Sequence, residues 1–185
     1  KAFKLEDIWR IRIRLELEER LFELALFNLA IDCKLRSCDL RNLKVQDVSR
    51  SGCVMSRTIV KQQKTQQEVH FEITPKTQQT LSLWIIQNSL APTDYLFPSP
   101  RREGQPISYH YYTTMVNRWV TDIGLDKTQY GTHSLRRTKA SLIYAKTKNL
   151  GAIQLLLGHA KLESTIEYLG VEIEDALRIS ESCDT

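Results

Sequence analysis

Two arginines, two histidines and a tyrosine occur in an order that suits one kind of chemistry. Arg36 stands in Leu35-Arg36-Ser37-Cys38-Asp39-Leu40, and His133 and Arg136 share Gly131-Thr132-His133-Ser134-Leu135-Arg136-Arg137. His159 closes Leu156-Leu157-Gly158-His159, 23 positions after Arg136, and Tyr168 follows nine positions later in Thr165-Ile166-Glu167-Tyr168. Attack on a phosphodiester raises the negative charge on its non-bridging oxygens. Guanidinium groups stay charged at physiological pH and grip two oxygens at once. Preorganised cations at that point lower the barrier directly. A tyrosine hydroxyl, with an ordinary pKa near ~10, needs a base or a strong cationic field before it attacks, and a histidine can be that base. A positioned lysine can give the leaving 5′-oxygen its proton. The phosphotyrosine keeps the energy of the broken bond, so rejoining needs no ATP. This chemistry calls for no metal and no cofactor.

Taken singly, each residue has an ordinary explanation. His133-x-x-Arg136 reads as a solvated helix start, and Tyr168 as a packed aromatic with a wet hydroxyl. Arg36 reads as a surface ion-pair partner of Asp39, an interaction worth little. His159 after Gly158 reads as a helix cap. What distinguishes them is the ordered combination. Other polar residues keep the ordinary reading. His70 lies on the outward side of a strand, and His110 starts a helix. Arg101 and Arg102 lie in a solvated loop, and Tyr109, Tyr111 and Tyr112 are packing residues.

The elements that must position these groups are mainly helical. Leu5, Ile8, Trp9, Ile11, Ile13, Leu15 and Leu17 mix helical spacing with alternation, which leaves the phase of the first helix open. Leu21 to Ile31 is apolar nearly all round and belongs in the core. A short helix from about Ser37 to Leu43 buries Leu40 and Leu43. The period then changes to two. Val54–Val60 reads as a strand after the turn Ser51-Gly52. Glu68–Ile73 reads as a second strand, with Val69, Phe71 and Ile73 facing the core. The polar run Lys61–Gln67 is the tip of their hairpin. Thr74 and Pro75 supply an N-cap and a first helical residue. A proline-rich loop leads to Ser108, which caps a helix ending near Gly124. Further helices are expected over Leu135–Ala145, Leu150–Leu157 and Ser164–Ile179. The class is mainly α (α+β), with one small antiparallel sheet.

A chain of 185 residues suits a single domain that buries its core without disulfide staples. With 42% hydrophobic and 26% charged residues it reads as an ordinary globular protein. The net charge of +4 is compatible with nucleic acid without demanding it. Cys33, Cys38, Cys53 and Cys183 form no C-x-x-C pair and have no histidine at zinc-ligand spacing, so they are expected to be free thiols in a reducing cytoplasm. No apolar run is long enough to cross a bilayer.

From about Leu21 to Leu177 the sequence resembles the tyrosine recombinases, or phage-type integrases. The family's first arginine box is similar to Leu35–Leu40, which implies Arg36 as the first catalytic arginine and Asp39 as an acidic support. Its lysine belongs to a hairpin turn that Gln63-Lys64-Thr65 resembles. This implies Lys64, with Lys61 as the substitute. The family's His-x-x-Arg box falls on His133 and Arg136, its Leu-Gly-His box on His159, and its nucleophile on Tyr168. By this resemblance Arg36 and Arg136 bind the scissile phosphate, and His133 takes the Tyr168 proton or orients the phosphate. Lys64 protonates the leaving oxygen, and His159 hydrogen-bonds a non-bridging oxygen. Two positions depart from the family pattern: Lys34 replaces a usual glycine, and Arg137 a frequent histidine.

The resemblance implies double-stranded DNA target sites as partners, a homotetramer assembled on two sites, and other recombinase subunits as further partners. It also implies that 1–185 is one catalytic domain without the helical domain that clamps the far face of DNA, because 35 residues precede Arg36. Residues 171–185 are expected to form a helix or tail that docks on a neighbouring protomer, or else folds back on its own chain. Three other readings share these residues. One is a DNA-relaxing topoisomerase of related chemistry, one a catalytically silent DNA-binding regulator, and one an accessory subunit of a larger recombinase.

Overall fold

The computed structural model describes residues 1–171 and Glu181. Helix α1 (Leu5–Leu17) turns Ile8, Ile11 and Leu15 inward and leaves Leu5, Trp9, Ile13 and Leu17 exposed. The mixed spacing in this segment therefore comes from two apolar faces, one buried and one outward. Helix α2 (Leu21–Cys33) is buried continuously from Glu23 to Cys33 and forms the centre of the molecule, as its all-round apolar character requires. Helix α1, helix α5 (Pro75–Gln87) and helix α7 (Thr132–Thr147) pack around it.

After α2 the chain makes α3 (Ser37–Arg41) and α4 (Val45–Val48), burying Leu40, Leu43, Val45 and Val48. The segment expected to be one strand divides in two. Strand β2 (Cys53–Val54) pairs with β1 (Ser49–Arg50), and β3 (Arg57–Lys61) pairs with β4 (Glu68–Glu72). The left-handed Ser51 and Gly52 turn the first hairpin sharply, so β2 is used up pairing back on β1 before β3 begins. In the second hairpin Arg57 pairs with Glu72 and Lys61 with Glu68. Val69, Phe71 and Ile73 all face the core, as their alternation requires.

Pro75 opens α5, but the Thr74 hydroxyl does not cap it; that hydroxyl donates to Asp32 instead. Ser108 does cap α6 (Tyr109–Asp122), accepting from the Tyr111 amide. Helix α7 starts at Thr132, earlier than the hydrophobic pattern indicates, because Ser134 Oγ accepts from the Gly131 amide and closes its first turn. Helix α8 (Leu150–Leu157) has its expected limits, and α9 (Leu162–Leu169) ends at the left-handed Gly170. The expected continuation to Ile179, the expected tail over 171–185 apart from Val171 and Glu181, and Cys183 lie outside the described residues. Helices α7, α8 and α9 build a small second core from Ala140, Ile153 and Leu157, on which Tyr168 packs.

Candidate active site

Lys34 sets the geometry from which the first arginine emerges. It ends α2 in the left-handed conformation, with φ +55°. Glycine adopts this conformation freely, and a lysine does so at about 1 kcal/mol. The tight turn is thus kept despite the departure from the family pattern. The Lys34 side chain runs inward, fully buried, and donates to the Asp32 carbonyl at 2.7 Å and to Glu72 at 3.1 Å. Lys139 joins the same group, 2.9 Å from Asp32 and 2.5 Å from Glu72. The other Asp32 oxygen accepts from Thr74 and Thr77. Burial lowers the Lys34 pKa, and Glu72 opposes that shift. These charges, with Thr74 and Thr77, tie α2, β4, α5 and α7 together, Lys34 lying two residues before Arg36 and Lys139 three after Arg136.

A cleft of about 600 Å³ opens where α3, the β3–β4 turn and helices α7 to α9 meet, lined by Arg36, Thr65, His133, Arg137, His159 and Tyr168. Arg136 stands beneath it, buried, with Nη2 donating to the Leu157 carbonyl at 3.0 Å. Its guanidinium lies 5.7 Å from the centre of the Tyr168 ring, and that of Arg137 lies 5.5 Å away. The His159 ring meets Tyr168 edge to face at 5.5 Å. Arg136 Nε and the Tyr168 hydroxyl are both buried without a hydrogen-bond partner among the described residues. Such groups are costly to bury unpaired, so an acceptor entering the cleft gains from meeting them.

Burial pushes the Tyr168 hydroxyl up to about 12, against the pull of Arg136, Arg137 and Arg36. Burial, with Arg136 and Arg36, lowers His159 to about 4, so its ring is neutral at pH 7. His159 Nδ1 lies 3.1 Å from Thr165 Oγ1. With that hydroxyl donating to Nδ1, Nε2 carries the proton and can donate to an oxyanion. Burial lowers the Arg136 pKa, with Tyr168 opposing and Arg36 adding to the shift.

Not every sequence expectation meets in this cleft. Arg36 and Asp39 make no ion pair: Arg36 donates to Gln62, and Asp39 accepts from the Gln63 amide at 2.9 Å, tying the β3–β4 turn to α3. Lys64 stands exposed on that turn, next to Thr65 but not itself lining the cleft. His70 and His110 are exposed and Tyr112 is buried, matching their ordinary readings. Cys33 is a buried thiol pushed up to about 12 by burial. Among the described residues no group of three His, Cys, Asp or Glu could hold a metal, and no helix is long and apolar enough to cross a membrane. Sequence reasoning missed Gln62, Thr65 and Thr165. It noted Arg137 only as a departure.

The family model described as "Phage integrase family" matches residues 12–175. The chain belongs to the phage integrase family. Among curated relatives, the chain is 33% identical over 141 residues to a tyrosine recombinase of Pseudothermotoga lettingae, a match spanning 75% of the chain and 46% of that relative. It is 28% identical over 153 residues to a probable integrase/recombinase, YoeC, of Bacillus subtilis, spanning 83% of the chain and 79% of the relative. In fold it is similar to the XerA recombinase, with a TM-score of 0.80 at 19% identity over 100% of the chain and 66% of that structure. It is also similar to the XerH site-specific recombinase bound to a palindromic difH substrate, with a TM-score of 0.77 at 24% identity over 98% of the chain and 52% of that structure. The chain thus spans about half the length of the Pseudothermotoga and XerH proteins. The helical architecture with its small antiparallel sheet is the fold of these recombinases.

Proposed function

We propose that this chain is the catalytic part of a site-specific recombinase that breaks and rejoins double-stranded DNA through a 3′-phosphotyrosine on Tyr168. The observation that carries the reading is the convergence on one tyrosine ring of Arg136, Arg137 and His159, in a cleft also lined by Arg36 and His133. The Tyr168 oxygen attacks phosphorus, its proton passes to His133, and the bond to the 5′-oxygen breaks. Lys64 gives that oxygen a proton as the hairpin turn closes on DNA. Arg36 and Arg136 bind the non-bridging oxygens and stabilise their growing charge. His159, neutral, donates Nε2–H to one of them. Asp39 supports the site by holding the turn that bears Lys64. Attack by the 5′-hydroxyl of a second strand reverses each step and frees Tyr168.

Four protomers on two DNA sites would carry out the exchange, with residues 171–185 docking on a neighbouring protomer. The test is covalent trapping on nicked duplexes of randomised sequence, which lose the short 5′ fragment once cut. A protein–DNA band on a denaturing gel that vanishes in Tyr168→Phe is the expected result. A band that survives in Tyr168→Phe moves the nucleophile elsewhere. No band from wild type, on DNA shown to bind, favours the regulator or accessory reading.

A further inference from the structure

Gln62 is a fully buried amide within the hairpin turn that carries Lys64. Its Oε1 accepts from Arg36 Nη1 at 2.5 Å and from Thr65 Oγ1 at 2.7 Å. Its Nε2 donates to the Leu157 carbonyl at 3.3 Å, the same carbonyl that accepts from Arg136 Nη2 at 3.0 Å. One side chain and one carbonyl therefore connect the two guanidiniums. The arrangement also depends on a close approach at Gly158, where an added Cβ would lie 2.7 Å from Val69 Cγ2 and 3.4 Å from Gln62 Oε1.

We infer that Gln62 is a positioning residue that fixes Arg36 relative to Arg136 and couples both to the Lys64 turn. The inference rests on the reading of these arginines as the phosphate-binding pair. An amide suits this task better than the alternatives. A carboxylate at this position would hold Arg36 firmly but cancel its charge where the phosphate needs it. A hydrocarbon would leave the guanidinium charged but free to turn. The amide restrains one Nη and leaves the remaining N–H donors of Arg36 for phosphate. Thr65, which donates to the same Oε1 and lines the cleft, passes the restraint to the neighbouring Lys64.

The full chain, labelled with ¹⁵N, tests this through the guanidinium resonances of Arg36 and through titration with inorganic phosphate. Wild type should show slowly rotating Arg36 Nη protons, and Gln62→Asn, too short to reach both Arg36 and Leu157, should lose them. Phosphate affinity should fall roughly tenfold in Gln62→Asn, the size expected for a lost hydrogen bond to a charged group. In an Arg36→Ala background Gln62→Asn should then change nothing further. If Gln62→Asn does not fold, Gln62→Glu carries the test, with Arg36 kept ordered and phosphate affinity still reduced. Unchanged Arg36 resonances in Gln62→Asn, wild-type phosphate affinity in Gln62→Glu, or equal losses with and without Arg36 overturn the inference. A wild-type chain that meets these phosphate and resonance expectations yet forms no adduct with the duplex pool upholds Gln62 and sinks the DNA-cutting reading instead.

Discussion

His159 keeps a neutral ring among cations because burial and two nearby guanidiniums penalise its charged form, bringing it from 6.5 to about 4. The unfolded chain takes up that proton near pH 6.5, and the folded chain only near pH 4. Between these values the unfolded state binds more protons, so folding stability falls as pH drops through the window. Solvent reaches part of the ring, which discounts the share to about 1 kcal/mol. Urea melts at pH 7 and pH 4.5 should show His159→Gln losing less stability between the two than wild type. Equal losses would remove His159 as the source. Lys64 makes a separate prediction. If it protonates the leaving oxygen, Lys64→Ala should slow adduct formation by about 10²–10⁴-fold. A 5′-bridging sulfur, which leaves without a proton, should restore the rate. Rescue of Lys61→Ala instead would transfer the role to Lys61. Ordered spacing singles out Arg36, His133, Arg136, His159 and Tyr168, and the fold brings four of them to the lining of one cleft with Arg136 buried against the Tyr168 ring. Gln62 was not legible in the sequence: it is one of four glutamines on a polar turn, and only its tertiary position separates it from Gln63, Gln66 and Gln67.

The helices were largely legible because each carries a face or a cap. Pro75 opens α5, Ser108 caps α6, and the apolar run of α8 ends at a glycine. The β1–β2 hairpin and α4 were not, because strands of two residues and a single helical turn hold too few positions to display a period. Gly158 joins α8 to the sheet. Gly158→Ala places a Cβ 2.7 Å from Val69 Cγ2 on a backbone at φ +64°. A loss of about 2 kcal/mol is expected in denaturant melts, from strain and forced repacking together. A variant as stable as wild type would show that α8 and β4 can separate without cost. At the end of α2, Lys34→Gly and Lys34→Ala both delete the buried ammonium, but only glycine relieves the left-handed backbone. The glycine variant should be the more stable of the two by about 1 kcal/mol. Equal stabilities would mean that the turn has relaxed in both.

For the molecule as a whole, a net charge of +4 is modest, and Lys1, Arg36 and Arg137 line one cleft. Binding to duplex DNA should weaken as salt rises, and replacing one phosphate-contacting cation should reduce the log–log salt slope by about one. Arg137→Gln is the variant of choice, because Arg137 lines the cleft and stacks over Tyr168. An unchanged slope would confine Arg137 to packing against the tyrosine. Truncation after Gly170 addresses assembly. Loss of the higher-order complex on DNA, with single-site binding kept, is expected if residues 171–185 dock in trans. An unchanged complex sinks that idea. Neither groove contacts nor subunit contacts were legible, because both depend on surfaces brought together only after folding and assembly.

The charge quartet of Asp32, Lys34, Glu72 and Lys139, its first two members buried and the others partly exposed, also has a bearing on how such a chain can change over generations. Its charges sum to zero, and the side chains of Asp32 and Lys34 are almost entirely out of water. Breaking a buried pair by removing one partner costs about 3–5 kcal/mol, a large part of what holds a domain of this size together. A lone substitution at Lys34 or Asp32 is therefore close to a dead end, whereas paired replacements that keep the sum at zero stay open. Neutral drift at this group has to proceed in double steps. Descendants of one sequence should accordingly change these positions in charge-balanced pairs, or not at all.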